Sequence, residues 1–326
     1  MAKIPIDRQI KAFVKEHIGK QEKIDEKEKM SPLMQAIKAV HSVASAGESL
    51  SEEDLKRQRT GQDLFSRLVT PPLGVSSEGL TVKGMNCEWT RLDVGHDRKH
   101  MFLYCHGGGY TCGSIHYARI LASKLSLHTG LPSFSFEYRL APENPYPAAI
   151  EDALTVWNYL MHLGVGARDI IVAGDSAGGN LALELCLRLK AAGRLLPGGL
   201  VLMSPWTDMT MSGTSYIDCI AIDPMLTGAY IKTCRGAYAP EAADFADPEF
   251  SPIFADYEDF PPTIIQVGTN EILRSDSELL AERMQEQGVF VQLQVYEEAW
   301  HVFQQMPLKR AAKALDAVDD FVQKIL

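Results

Sequence analysis

The sequence predicts an α/β protein with a mostly parallel central sheet, helices on both faces of that sheet, and a helical cap. From residue 101 onward, short apolar or β-branched runs alternate with segments of helical spacing, a pattern typical of βαβ units. One such run, residues 170–173, stops at Gly174. Ser176 and Gly178 follow before a helical pattern opens. This order of strand, turn and helix is the context in which Gly-x-Ser-x-Gly presents a reactive serine.

Length and composition suit one large domain, or a core with a smaller domain attached. The chain has 326 residues and 46% hydrophobic residues, enough to bury a sizeable core. Its formal net charge of −10 argues against nucleic acid and anionic membrane surfaces as main partners.

Cysteine usage predicts a reducing compartment. None of the six cysteines forms a C-x-x-C pair, and no His/Cys cluster has zinc spacing, so we expect no metal and no cofactor. Residues 1–29 lack the apolar region of a secretory signal, and no run approaches the ~18 apolar residues of a spanning helix. We therefore expect a cytoplasmic protein without stable membrane insertion.

Residues 1 to about 70 are dense in charge and helical in pattern. Apolar residues recur at helical spacing between Ile6 and Ile18, and helices are predicted over residues 33–46 and 52–68. The apolar stripe would also suit a membrane surface, but interspersed charges of both signs favour packing against the rest of the protein.

Strands and helices then alternate to the end of the chain. Strands are predicted over residues 81–86, 89–92, 101–105, 133–138, 170–173, 200–203, 263–267 and 291–296. Helices are predicted over residues 117–128, 147–163, 181–192, 227–238, 277–287 and 307–326. Right-handed crossovers bring the loops after the parallel strands to one edge of the sheet, where sites in such folds form.

The alternation breaks between Trp206 and about Phe254, in a stretch rich in methionine and aromatic residues. This stretch leaves the sheet after a strand end, on the edge expected to carry Ser176, and we interpret it as an inserted cap segment. The predicted organisation is an N-terminal cap part over 1–75, core over 76–206, cap insertion over 207–250 and core over 251–326.

A serine nucleophile needs a base and an acid that orients the base. When the serine lies on a strand–turn–helix motif of this kind, we expect the acid to follow the serine in the chain and the histidine to follow the acid. Of the nine histidines, only His301 follows the last core strand, so it is the predicted base. The loop after residues 263–267 offers Glu271 and Asp276. We prefer Glu271, which is nearer the strand end, because a carboxylate near a helix start, like Asp276, is often a cap.

A glycine loop provides candidate donors for an oxyanion. Residues 106–110, His-Gly-Gly-Gly-Tyr, follow a buried strand, and three glycines allow consecutive N–H groups to face a cavity. The spacing does not match a phosphate-binding loop, which leaves a structural glycine turn as the alternative. His106 is expected to brace the loop. Ala177, in the first turn of the helix after the nucleophile, offers a further N–H donor.

Three motifs together resemble the bacterial hormone-sensitive-lipase-like esterases of the α/β-hydrolase fold. They are His-Gly-Gly-Gly at 106–109, Tyr-Arg-Leu-Ala-Pro-Glu at 138–143 and Gly-Asp-Ser-Ala-Gly-Gly-Asn at 174–180. The resemblance runs from about residue 78 to the end of the chain. At two places the sequence departs from it. The family usually has Asp-Pro-Leu where this chain has Glu-Ile-Leu at 271–273, and often has Gly after the base, where this chain has Val302.

The resemblance implies that Gly108, Gly109 and Ala177 supply the oxyanion-hole N–H groups. It also implies that residues 138–143 and Asp152 brace the site without reacting.

We therefore expect a serine hydrolase that cleaves small-molecule carboxylic esters through an acyl-enzyme on Ser176. The preference for short to medium acyl chains comes largely from the resemblance. Amide or thioester hydrolysis and deacetylation stay open, because the same triad serves all of them. A non-catalytic ligand receptor on the same fold is a further alternative, although a receptor can lose the base that this chain keeps as His301. The oligomeric state is open, with a homodimer among the options.

Overall fold

Eight strands pair into one sheet within residues 51–69, 71–240 and 243–326, which are those described by the computed structural model. They are β1 (Val75–Val82), β2 (Met85–Leu92), β3 (Met101–Cys105), β4 (Ser133–Phe136), β5 (Ile170–Asp175), β6 (Gly199–Met203), β7 (Thr263–Gly268) and β8 (Val291–Tyr296). The sheet order is β1-β2-β4-β3-β5-β6-β7-β8. The pairs β1–β2 and β2–β4 are antiparallel and the remaining neighbours are parallel, as predicted.

Helices cover both faces of the sheet. They are α1 (Glu52–Leu68), α2 (Ile115–Thr129), α3 (Ala148–His162), α4 (Ala177–Ala191), α5 (Ser215–Asp218), α6 (Gly228–Tyr238), α7 (Arg274–Glu286) and α8 (Lys309–Ile325). Trp157, Leu185 and Met284, from α3, α4 and α7, belong to the core on one face. Leu121 and Phe321, from α2 and α8, belong to the core on the other. The sheet is therefore buried on both sides, which explains why β3 and β5 are continuously buried.

The parallel register brings the ends of four strands side by side. Asp175 at the end of β5 pairs with Met203 on β6, and Met203 pairs with Gln266 on β7. Gly268 at the end of β7 pairs with Tyr296 at the end of β8. The loops that follow β5, β6, β7 and β8 therefore emerge next to one another along one edge.

Within the described residues, the predicted elements are confirmed with shifted ends, apart from one error. Residues 81–86, predicted as a single strand, contain a turn at Lys83 and Gly84, whose φ angles are +48° and +87°. The chain reverses there from β1 into β2, since two residues with positive φ suit the right-handed twist of a hairpin. In addition, α4 begins at Ala177, directly after the serine, four residues before its predicted start at Leu181.

Two parts of the chain approach the glycine loop that follows β3. α1 reaches the glycine loop, where the side chain of Gln62 lies near Gly108. The stretch between β6 and β7 holds α5 and α6, and Cys234 of α6 lies against Gly109. The helix predicted over residues 33–46 lies outside the described residues. In the described part of the chain, no helix combines the length and apolar character needed to cross a membrane.

Candidate active site

Ser176 occupies a sharp turn between β5 and α4. Its backbone has φ +54° and ψ −123°, a combination that costs a residue with a side chain of the order of 1–3 kcal/mol and persists only when its surroundings enforce it. The Ser176 N–H donates to the Met203 carbonyl at 3.0 Å, and the Ser176 carbonyl accepts from the Trp206 N–H at 3.0 Å. Two bonds to the segment at the end of β6 therefore hold the turn in its strained form.

The glycines on either side of the serine are required by close backbone approach. A Cβ on Gly174 would lie 2.2 Å from the Gly178 carbonyl oxygen, and a Cβ on Gly178 would lie 2.1 Å from the Cys105 carbonyl oxygen. No real side chain fits at those distances, so strand and helix meet here as the motif predicts.

His301, after β8, and Glu271, after β7, form a buried pair. His301 Nδ1 lies 2.9 Å from Glu271 Oε2, and Glu271 is fully buried. The other carboxylate oxygen, Oε1, accepts from the Ser204 hydroxyl at 2.9 Å and from the Gly268 N–H at 2.5 Å. With Nδ1–H donating to this carboxylate, the neutral ring keeps its Nε2 lone pair available as a base.

Asp276, the other acid considered for this role, makes a different set of contacts. One of its oxygens accepts from the Thr207 and Asp208 N–H groups, both at 2.9 Å, and from the Tyr216 hydroxyl at 3.3 Å. Burial raises the pKa of Asp276 well above its ordinary value. Asp276 thus anchors the start of the stretch between β6 and β7, while Glu271 is the acid that contacts His301.

The glycine loop after β3 carries N–H donors that have no partner in the part of the chain that the structure describes. Gly108 and Gly109 have φ angles of +116° and +61°, and the hydrogen bonds among the described residues include none donated by their N–H groups. Ala177 opens α4, and the first N–H groups of a helix have no partner within it. The loop and the helix start therefore offer N–H donors of the kind that the sequence predicts for an oxyanion at this edge.

Comparison with known proteins places this arrangement in a family. Residues 102–305 match the family model described as alpha/beta hydrolase fold. An esterase from Acinetobacter venetianus is 35% identical over 227 residues, which are 69% of this chain and 75% of the relative. An acetyl-hydrolase from Streptomyces hygroscopicus is 34% identical over 242 residues, 74% of this chain and 79% of the relative.

A solved esterase structure from the bacterial hormone-sensitive lipase family superposes with a TM-score of 0.84 at 29% identity, covering 91% of this chain and 99% of that one. This chain belongs to the hormone-sensitive-lipase-like esterase family of the α/β-hydrolase fold.

One departure from the family pattern has a visible structural consequence. Val302, which follows His301 where the family often has glycine, adopts φ +52° and ψ +41°. A β-branched residue is rarely found in this left-handed region. The Val302 N–H donates to the Ser204 hydroxyl at 3.1 Å, so a hydrogen bond to the end of β6 helps to hold a conformation that glycine would adopt without strain.

Two side chains that support the family motifs were not singled out from the sequence. The buried Asp175 carboxylate accepts from the Gly107 N–H at 2.9 Å, from the Tyr117 hydroxyl at 3.0 Å and from the Tyr104 hydroxyl. Ser204 is the other. Their common signal is position: each is a polar residue at or just after the carboxyl end of a buried strand.

His106, the first residue of the glycine loop, braces that loop. Its Nδ1 lies 2.8 Å from the Gly107 carbonyl oxygen, its ring stacks on Tyr138 at a centroid distance of 4.1 Å, and the Tyr138 hydroxyl donates to the His106 carbonyl at 2.8 Å. Burial lowers the pKa of His106 to about 4. The ring is therefore neutral at ordinary pH, and Nδ1–H donates to the Gly107 carbonyl.

The motif at 138–143 connects the loop to its surroundings. Arg139 donates to Asp152 at 3.0 Å. Glu143 pairs with Arg59 of α1 at 2.8 Å, and Arg59 also donates to the carbonyls of Thr111 at 2.9 Å and Ala141 at 3.1 Å. The Arg59 guanidinium lowers the pKa of Glu143 to about 2. One arginine thus joins α1 to the glycine loop and to the 138–143 motif.

The described residues contain no group of three or more His, Cys, Asp or Glu side chains that could hold a metal ion. All six cysteines are free and buried.

Proposed function

We propose that this protein hydrolyses carboxylic esters through an acyl-enzyme on Ser176, with His301 as the base and Glu271 as the acid that orients it. The observation that carries the proposal is the 2.9 Å contact between His301 Nδ1 and the buried Glu271 carboxylate. This contact lies on the loops that emerge beside the strained Ser176 turn. It leaves Nε2 as the proton acceptor, which is the tautomer that the reaction needs.

In the first half of the reaction, Ser176 Oγ attacks the ester carbonyl carbon while His301 Nε2 takes the hydroxyl proton. The tetrahedral intermediate collapses when the imidazolium returns that proton to the leaving alkoxide, which departs as the alcohol. Water then repeats the two steps on the acyl-enzyme, releasing the carboxylic acid and restoring Ser176. Glu271 stabilises the imidazolium in both halves.

The oxyanion of each intermediate is assigned to the N–H groups of Gly108, Gly109 and Ala177. The N–H groups of Gly108 and Gly109 donate to no acceptor among the described residues, which supports this assignment. One such donor typically lowers a barrier by about 3–4 kcal/mol, because it acts in a site from which water is excluded.

We propose esters of short to medium acyl chain as substrates. Gln62 of α1 and Cys234 of α6 both approach the glycine loop, at 3.3 Å and 2.7 Å from ideal Cβ positions on Gly108 and Gly109. Cap elements this close to the donors restrict the space beside a bound carbonyl. The relative from Streptomyces hygroscopicus is named an acetyl-hydrolase, which agrees with a small acyl group.

The same triad would also cleave amides or thioesters or remove acetyl groups, and a substrate panel separates these reactions. The receptor alternative is disfavoured, because the paired His301 and Glu271 have no evident use in a site that only binds. We also propose the four-part division into cap, core, cap insertion and core at 1–75, 76–206, 207–250 and 251–326, and a cytoplasmic location, which six free cysteines support.

The test compares the full chain with Ser176→Ala on p-nitrophenyl acetate, butyrate and a long-chain ester. We expect the variant to fold, as judged by circular dichroism, and to lose at least about 1000-fold in kcat. We expect activity to fall with acyl length. Activity of Ser176→Ala within a few-fold of the wild type would refute the proposal, and a maximum at long chains would refute the substrate class.

A further inference from the structure

Lys124 donates hydrogen bonds to the segment that follows His301. It lies on α2, and its Nζ is 2.8 Å from the carbonyl oxygens of Gln304 and Gln305 and 2.9 Å from that of Met306. These consecutive residues form the end of a short 3-10 helix, Phe303–Gln305, and the residue after it.

The N–H donors of the lysine match the carbonyl acceptors in number and in charge. A lysine ammonium has three N–H donors, and here three carbonyls are in reach of it. The end of a helical turn exposes unpaired carbonyls with partial negative charge, which favours a cation there. The ion pairs among the described residues include none made by Lys124. Burial lowers the pKa of Lys124 to about 8, so the ammonium predominates at neutral pH and the carbonyls replace the water it has lost.

This contact restrains the loop of the proposed base from its downstream side. Met306 donates its N–H to the Phe303 carbonyl at 2.9 Å, and Phe303 donates to the Trp300 carbonyl at 3.1 Å. His301 lies between Trp300 and Val302, whose N–H is held by Ser204. The chain that carries the imidazole is thus bonded to β6 at one point and to α2 at another.

The same helix also contacts the nucleophile strand. The Tyr117 hydroxyl of α2 donates to Asp175 at 3.0 Å, and Asp175 directly precedes Ser176. Tyr117 and Lys124 are seven residues apart, about two turns of one helix. α2 therefore connects the residue before the serine to the segment after the histidine.

We propose that Lys124 is a positioning residue, which fixes His301 relative to Ser176 by holding the carbonyls of residues 304–306. The inference rests on the proposed function, since it assumes that His301 is the base. Catalytic geometry is sensitive to such restraint, because a displacement of about 1 Å at reacting groups costs about 100-fold in rate.

The test measures kcat, KM and thermal unfolding for Lys124→Met, Lys124→Gln and Lys124→Arg on p-nitrophenyl butyrate. The matched control is Lys190→Met. Lys190 also donates to backbone carbonyls, those of Asp256 at 3.2 Å and Glu258 at 2.7 Å. It lies at the far end of α4, about 20 Å along the helix from the serine. A general cost of losing a lysine–carbonyl contact would appear in both lysine-to-methionine variants.

We expect Lys124→Met to lose about 10- to 100-fold in kcat with KM within about 3-fold of the wild type. Lys124→Gln, with two N–H donors, should fall between Lys124→Met and Lys124→Arg, and Lys124→Arg should keep most of the activity. If Lys124→Met does not fold, the ranking of the glutamine and arginine variants carries the test. Equal kcat for Lys124→Met and Lys190→Met, or no ranking by donor number among folded variants, would overturn the inference.

These outcomes are separable from a failure of the proposed function. If Ser176→Ala abolishes activity while the Lys124 variants behave like the Lys190 control, only the role of Lys124 is wrong. If Ser176→Ala stays active, the assignment of the site itself is wrong.

Discussion

The hydroxyl of Ser204 donates to Glu271 Oε1 across 2.9 Å, and its oxygen accepts the Val302 N–H at 3.1 Å. A single side chain at the end of β6 therefore connects the proposed triad acid to the backbone beside His301. Ser204 is itself buried and has φ +48°. The pairing of acid and base thus depends on a third strand, which supplies a hydrogen bond to each partner's loop.

We expect Ser204→Ala to lower kcat about 10-fold or more, because it removes a hydrogen bond to a charged group and leaves the Val302 N–H unpaired. The matched control is Ser135→Ala, since Ser135 is buried on β4 and its hydroxyl has no partner among the described residues. Steady-state kinetics on p-nitrophenyl butyrate check this. Similar kcat values for the two variants would show that Ser204 has no role in the pair.

The two candidate acids predict opposite outcomes. Glu271→Gln keeps the shape of the side chain but removes the charge that faces His301, so we expect a loss of at least about 1000-fold in kcat. Asp276→Asn should stay within about 10-fold of the wild type, because an amide oxygen can accept the same hydrogen bonds from Thr207, Asp208 and Tyr216, and His301 is not among these partners. Kinetics of both variants at pH 7 decide the assignment, and the reverse order would transfer the role to Asp276.

Arg59 connects α1 to the glycine loop through its hydrogen bonds, and we expect catalysis to depend on this connection. We expect Arg59→Met to lower kcat about 3- to 10-fold, because it removes donors to the carbonyls of Thr111 and Ala141 as well as the partner of Glu143. Arg57→Met is the control, since Arg57 lies on the same helix and its ion pairs among the described residues are local, with Glu53 and Asp54. Both are measured with p-nitrophenyl butyrate. An equal effect of the two substitutions would mean that α1 does not support the loop.

We expect the buried His106 to make the folded protein less stable against unfolding in acid. Its folded-state pKa is lowered from 6.5 to about 4 by burial, so between these values the unfolded chain binds a proton that the folded protein does not. Stability from this residue is present above pH 6.5 and falls as pH drops toward 4, by up to about 3 kcal/mol. Urea unfolding across this range should show a steeper acid loss for the wild type than for His106→Asn, and parallel curves would contradict the buried neutral ring.

The order of strands and helices was predictable from the sequence because it depends on local pattern. The runs at β3, β5 and β6 are largely apolar for a reason that any buried parallel strand shares. The turn at Ser176 was also predictable from the sequence. The motif places Gly174 and Gly178 at two positions where close backbone contacts leave no room for a side chain. The error at residues 81–86 arose because Lys-Gly is a weaker hairpin signal than Asn-Gly or Asp-Gly, although Gly84 suits the positive φ of the turn.

The supporting side chains were not predictable, because their partners come from distant parts of the chain. Ser204 and Lys124 acquire their contacts only when β6 and α2 pack beside the loop of residue 301. Nothing in the residues around Lys124 indicates that its ammonium will donate a hydrogen bond to the carbonyl of Gln304, 180 positions later. Sequence pattern therefore predicts which groups react, while tertiary packing determines which side chains hold them.

The most direct measurement is covalent labelling by an organophosphonate ester, with the modified residue mapped by mass spectrometry. We expect a single adduct on Ser176, none on Ser176→Ala, and labelling slowed by at least about 100-fold in His301→Asn. Esterase activity should disappear in proportion to the adduct. An adduct on another residue that tracks the loss of activity, or full activity with Ser176 modified, would contradict the proposed mechanism.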